Sequence, residues 1–390
     1  MISDTFGIIM FLVAIEGGIF YLAEHRWTKR IFDFTPSMFW IYFLPLLASS
    51  FKIIPQTSEV YPFISTNLLP ASLLLMLISV DVRAILKLGK VALLMMFAGS
   101  LGILIGGPIV LLIFQHWLPE GIWSGFGALS GSWIGGSANM LAVKEGIGTP
   151  QHIFAPLVVV DTVVAYTWMG LLIAMSGFQA AYDRWNHSDT RVIASLNHSL
   201  TNVHEFESTP LTLKGFGMIF AIGFAGSWAS SRLAGFLPEI KGVISTYTWT
   251  ILIVSTLGVL LSFTRLRKLE SFGASRVGFA LLYLVLASIG ARANLSDIAS
   301  APMMIIAGFV WVIIHGLVLL GASRLLRAPL FLVATASQAN IGGPASAPVV
   351  AAVYQPALAP VGLLMAIIGN ITGTYLGMVC AQLCKWVSKG

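Results

Sequence analysis

The side chains best suited to chemistry in this chain flank two Gly-Gly pairs. The first stretch reads Ser130-Gly131-Ser132-Trp133-Ile134-Gly135-Gly136-Ser137-Ala138-Asn139. The second reads Ser337-Gln338-Ala339-Asn340-Ile341-Gly342-Gly343-Pro344-Ala345-Ser346. They share Ile-Gly-Gly at a spacing of 207 residues. Both lie inside apolar segments, where Gly, Ser, Asn and Pro form helix poorly. Interruptions at matching positions of two halves point to a transporter's binding site. Hydroxyl and amide oxygens, together with unwound carbonyls, suit a dehydrated sodium ion, and a restarted helix N-terminus suits an anionic group. The expected substrate-binding residues are Ser132, Ser137, Asn139, Gln338, Asn340 and Ser346. The expected sodium ligands are Ser130, Asn139, Asp161, Thr335, Ser337, Gln338 and Asn370. Close helix packing is the competing reading, since small residues dominate such interfaces. The duplication, with Asn and Gln inside it, favours a site.

Asp161 sits in Val158-Val159-Val160-Asp161-Thr162-Val163-Val164. A carboxylate in an apolar run is costly, which makes it a functional candidate as a sodium ligand or proton carrier. Asn370, with Thr372 and Thr374, lies near the corresponding place in the second half. Glu16 is divided between packing and function. Asp81 with Arg83, and Lys144 with Glu145, read as local pairs near segment ends. Arg83 and Arg292 are repeated arginines that could gate or attract an anion, with topology anchoring favoured for Arg83. His315, alone in an apolar run, reads as a packing residue before a proton carrier. His187, His198 and His204 lie near Asp189 and Glu205, at spacings that fit no tight metal motif. No Walker loop, HExxH, GxSxG elbow or dinucleotide fingerprint occurs, so neither an enzyme nor an organic cofactor is expected.

The elements that must position these residues are membrane helices. Charged residues are 10% and hydrophobic residues 57% of the 390 residues, with mean hydropathy +0.88. Soluble domains carry about 25% charged residues. Apolar runs fall near 6–24, 38–54, 60–82, 91–116, 122–143 and 153–178, and again near 213–237, 245–264, 274–291, 301–323, 329–353 and 357–384. The first reads as an uncleaved helix, since no basic residue precedes it. Cys380 and Cys384 read as packing residues rather than a disulfide framework.

The two sets of six runs match. Trp40 pairs with Trp249, Arg83 with Arg292, and Ala98-Gly99 with Ala307-Gly308, each at an offset of 209. Gly135-Gly136 pairs with Gly342-Gly343, and Gly170 with Gly377, at 207. The chain divides into a first transmembrane repeat at 1–178, a polar linker at 179–212 and a second repeat at 213–390. Charge favours inversion of the repeats. Inverted halves place fifteen basic residues inside, against four outside (Lys52, Arg232, Lys241 and Arg292). Parallel halves erase that bias. Inversion requires an odd offset, so the number of crossings is 11 to 13, with 213–237 the weakest candidate because of Ser227, Ser230, Ser231 and Arg232.

The motifs at 131–140 and 337–348 resemble those of the bacterial and plastid membrane proteins grouped as domain of unknown function 819, over nearly the whole chain. That family is grouped with bile acid–sodium symporters and cation–proton antiporters. The resemblance implies an all-α polytopic membrane protein with inverted repeats, crossed broken helices, core and panel domains, and elevator-type alternating access. It also implies pairing of protomers through the panel, hence a homodimer. Antiporters of the superfamily place aspartates at the crossing, whereas these segments carry neutral oxygens, as the symporters do.

The expectation is a secondary active transporter in the bacterial inner membrane. It would carry out sodium-coupled symport of a small organic solute, an anionic one included, with the lipid bilayer as its surroundings and no nucleic acid as partner. The alternatives are a cation–proton antiporter using Asp161 and a membrane receptor or scaffold that moves nothing.

Overall fold

The computed structural model is all-helical and describes residues 2–28, 31–32, 37–86, 88–189, 191–193, 196, 212–240, 245–293, 301–355 and 358–388. The principal helices are α1 (Thr5–Glu24), α2 (Ser37–Ser50), α3 (Val60–Ile78), α4 (Gly89–Phe114), α5 (Ile122–Gly135), α6 (Ser137–Ile147), α7 (Gln151–Ala174) and α8 (Gln179–Asn186). After the linker come α9 (Leu213–Ala234), α10 (Thr246–Ser262), α11 (Ala274–Ala291), α12 (Ala301–Leu326), α13 (Leu330–Ile341), α14 (Gly343–Tyr354) and α15 (Ala359–Val387).

Among the described residues, seven helical stretches are long and apolar enough to cross a bilayer: α1, α3, α4, Gln151–Asn186, α11, α12 and α15. An eighth arises if α10 and the Arg265–Phe272 turn, bent by 94°, form one span. The chain is a multi-pass membrane protein. The other expected runs behave differently for local reasons. The run at 38–54 shortens to α2, with Pro45 inside it. The runs at 122–143 and 329–353 each split into two helices at a glycine pair. The polar residues of α9 leave it outside the seven.

Two compact units each draw on both halves of the sequence. The first comprises 1–79, 144–162 and 207–304, and the second 80–143, 163–206 and 305–390.

Helix α3 organises the first unit. Its leucines meet glycines on two neighbours: Leu75 lies against Gly223 and Leu74 against Gly226 of α9, and Leu77 against Gly258 of α10. A Cβ on Gly278 of α11 would stand 3.0 Å from the Ser72 carbonyl oxygen. Small residues let backbones approach where lipid removes the usual hydrophobic drive. A local core gathers Leu75, Ile219, Leu269 and Ala274.

The second unit rests on a glycine ladder between α5 and α15. A Cβ on Gly377 would lie 3.0 Å from Gly131 Cα, one on Gly373 would lie 2.8 Å from Gly135 Cα, and one on Gly369 would overlap the Ile134 carbonyl oxygen. Across the same unit, α4 offers glycines to aromatic residues of α12. Gly102 faces the His315 backbone, Gly106 faces the Trp311 ring, and Trp311 Nε1 donates to the Ile103 carbonyl at 2.9 Å. Later residues of α4 meet earlier residues of α12, so the two helices run in opposite directions.

The ladder sets a stability test. Gly369→Ala should cost about 1–3 kcal/mol by overpacking against backbone. Gly17, which has nothing within 4 Å of its Cβ position, should tolerate alanine. Melting of the purified protein in detergent checks this; equal midpoints for the two variants would refute the ladder.

Candidate functional site

Both helix breaks pivot on the second glycine of the duplicated pair. Gly136 has φ +83° and Gly343 has φ +65°. Only glycine reaches this left-handed backbone without steric cost. The interruption is one residue long in each case: α5 ends at Gly135 and α6 begins at Ser137, while α13 ends at Ile341 and α14 begins at Gly343. A Cβ on Gly343 would lie 4.0 Å from Gly136 Cα, so the two breaks meet inside the second unit.

The asparagines stitch the breaks to neighbouring helices. Asn139 Nδ2 donates to the Gly135 carbonyl at 2.6 Å and to the Asn370 carbonyl at 3.3 Å, while Thr374 Oγ1 donates to Asn139 Oδ1. Asn340 Nδ2 donates to the Ala336 carbonyl at 2.9 Å and the Met96 carbonyl at 3.3 Å, and Ser100 Oγ donates to Asn340 Oδ1 at 2.9 Å. Each amide therefore uses its oxygen and its nitrogen on protein groups, as burial demands. Ser130 Oγ donates to Gly127 within its own helix at 2.7 Å.

The second break leaves oxygens over. Gln338 Nε2 donates to Ser346 Oγ at 2.7 Å, bridging the break from α13 to α14. Gln338 Oε1 and Thr335 Oγ1 are buried without a hydrogen-bond partner, as is Trp133 Nε1 on α5. Thr335 and Gln338 are three positions apart, on one face of α13. Gly342 leaves room for this bond, because a Cβ there would displace Gln338 Nε2 and Ser346 Oγ.

Ser337 belongs to a different network. His315 is fully buried, with Nδ1 2.9 Å from the Gly99 carbonyl and Nε2 3.0 Å from Ser337 Oγ. A carbonyl only accepts, so Nδ1 carries the proton. Trp168 Nε1 donates to Ser337 Oγ at 2.8 Å, which leaves the serine hydroxyl to donate to His315 Nε2. One directed chain of hydrogen bonds thus ties α7, α13, α12 and α4. His315 has the satisfied packing role that its apolar setting suggests.

The expected residues fall in both units. Ser130, Ser132, Thr335, Ser337, Gln338, Asn139, Asn340 and Ser346 are buried, while Ser137 and Asn370 are half-buried. All of these belong to the second unit, whereas Asp161, also buried, belongs to the first. Sequence reasoning missed Ser100 and Trp168. Ser100 follows the duplicated Ala98-Gly99, a signal that could have drawn attention to it. In the linker, Arg191 hydrogen-bonds the exposed Asp189 carboxylate at 2.8 Å and holds it below the usual carboxylate range. His198, His204 and Glu205 lie outside the described residues.

Comparison with known proteins agrees with the membrane reading. The family model described as protein of unknown function (DUF819) matches residues 10–387. An uncharacterized membrane protein of Bacillus subtilis (strain 168), YjcL, is 28% identical over 338 residues, covering 83% of this chain and 85% of the relative. The chain belongs to the DUF819 family.

The serine chain makes a testable contrast. Ser337→Ala strips partners from two buried groups, at a cost of about 1–3 kcal/mol for each group left unsatisfied. Ser130→Ala, which removes a bond within one helical turn, should cost less. Thermal melting of both variants decides it, and an unchanged Ser337→Ala midpoint would contradict the assigned hydrogen bonds.

Proposed function

We propose that this member of the DUF819 family is a secondary active transporter that carries a small organic solute, favouring one with an anionic group, together with sodium. The observation that carries this reading is the pair of unpartnered oxygens, Gln338 Oε1 and Thr335 Oγ1, beside the second membrane break. Buried oxygens without hydrogen-bond donors are disfavoured unless something positive completes them. A sodium ion stripped of water would do so, and it needs no carboxylate. Ser346 and Ser132 supply further oxygens near the breaks. Ser137 stands at the start of α6 and Gly343 at the start of α14, so two helix N-termini attend the meeting point. Such ends favour a substrate carboxylate.

Three features support an inverted, elevator-type arrangement. First, the two breaks pair with each other at equivalent positions. Second, at an offset of 209, Gly102 corresponds to Trp311 and Gly106 to His315, and the structure pairs Gly102 with His315 and Gly106 with Trp311. That contact maps onto itself when the halves are exchanged, and its antiparallel sense is what inversion requires. Third, each compact unit draws on both halves of the sequence. In this reading the second unit is the moving core that holds the solute and the first is the panel through which two copies pair, in the bacterial inner membrane. The likeness to bile acid–sodium symporters belongs to the same proposal. No chemical conversion is involved.

Asp161 favours a second reading. It is a buried carboxylate within a spanning helix, and a cation–proton antiporter would use it to exchange one charge for another.

The decisive experiment begins with a thermal-shift screen of organic acids, amino acids and short peptides in sodium or potassium. A transported solute should stabilise the protein in sodium and not in potassium. Uptake of that solute into proteoliposomes should follow an imposed sodium gradient. Gln338→Ala and Thr335→Val should raise the half-saturating sodium concentration by about tenfold, the equivalent of one charged contact. Flux that follows pH, ignores sodium and disappears in Asp161→Asn would establish the antiporter instead.

A further inference from the structure

The first unit contains a buried charge cluster that the transport reading does not use. Lys144 and Glu145 lie at the end of α6, and Arg292 follows α11. Lys144 Nζ sits 2.6 Å from Glu145 Oε1, and Arg292 Nη2 sits 3.1 Å from the same oxygen. Arg292 Nη2 also donates to Ser65 Oγ of α3 at 3.2 Å. The start of α10 closes over the cluster: Tyr247 Oη donates to the Ser65 carbonyl at 3.1 Å, and Thr248 Oγ1 donates to the Gly146 carbonyl. Four chain segments therefore build one polar site within a single unit.

Among the described residues its charges do not balance. Two cations face one carboxylate, and among the described residues no other charged group acts on Lys144 or Glu145. The Lys144 side chain is only 5% exposed, and one of its faces rests on the Phe154 ring at 5.6 Å. Arg292 Nε is buried without a partner, while the Arg292 side chain as a whole is 25% exposed. Removing a net positive charge from water is costly unless an anion accompanies it. The guanidinium has an unused donor, and a planar carboxylate is the ligand that matches its fork. Its partial exposure supplies the way in.

We propose that Lys144 and Arg292 form a binding site for a carboxylate anion, in which Glu145 occupies one side and the incoming carboxylate the other. The bound anion brings the cluster to neutrality. The site lies wholly in the first unit, and binding there is measurable without any transport assay.

The test is the thermal stability of the full-length protein in detergent, titrated with acetate or with inorganic phosphate at constant ionic strength and sodium, with chloride as the reference anion. Acetate should raise the melting midpoint in the wild type. Arg292→Gln and Lys144→Met should each weaken the apparent acetate affinity by about tenfold or more, the loss of one charge-assisted contact. Glu145→Gln, which removes the resident negative charge, should strengthen it. A response to phosphate but not acetate, or an acetate affinity left unchanged in Arg292→Gln, overturns the proposal. Asp297 lies outside the described residues, five positions after Arg292 in sequence. If acetate binds only in Asp297→Asn, the chain supplies its own second carboxylate and the proposal fails. If Arg292→Gln does not fold, the Lys144→Met and Glu145→Gln titrations still decide, because a purely structural triad predicts no acetate dependence in either.

Discussion

A backbone that leaves the helix inside a membrane must find a partner for every amide and carbonyl it releases. That requirement shapes the second unit. The breaks are kept to one residue, so few groups are released. Gly136 passes its carbonyl to the backbone amides of Asn139 and Met140, and its own amide donates to the Ser132 carbonyl. Gly342 donates to the Gln338 carbonyl. Asn139 then accounts for the Gly135 carbonyl. Once the backbone is satisfied in this way, any polar atom that remains unpaired stands out, and Gln338 Oε1 and Thr335 Oγ1 do so for that reason.

Close approach is the second condition. Glycines on α5 and α15 bring two backbones together, and those on α4 admit the His315 and Trp311 side chains of α12. Polar bonds then fix what the small residues allow. Asn340 reaches Ser100 and Met96 of α4, and the Trp168–Ser337–His315–Gly99 chain joins four helices. The polar side chains near the breaks thus divide into two groups: Asn139, Asn340 and Ser337 hold the frame, and Thr335 and Gln338 leave an oxygen open.

Much of this was legible in the sequence. The apolar runs identified the helices because bilayer thickness imposes their length, and the glycine pairs marked the breaks because few other residues would stop a helix there. The side-chain roles were less legible. Asn139 and Asn340 look like ligands in sequence, since an amide in an apolar run has no local partner. Their partners, Thr374 and Ser100, lie more than 230 positions away, at a separation that no local pattern reveals. The same distance hid the charge cluster. Lys144 and Glu145 are adjacent and read as a local pair, but Arg292 joins them from the other half of the chain.

The glycine ladder also orders the chain in time. Helix α5 ends at residue 135, yet the backbone it packs against begins at residue 359. During synthesis the first break enters the membrane more than 220 residues before its supporting helix exists. The second break is made shortly before that helix. A segment made long afterwards thus completes the packing of the first break, and a chain truncated before α15 would keep both breaks while losing the surface that holds the earlier one in place.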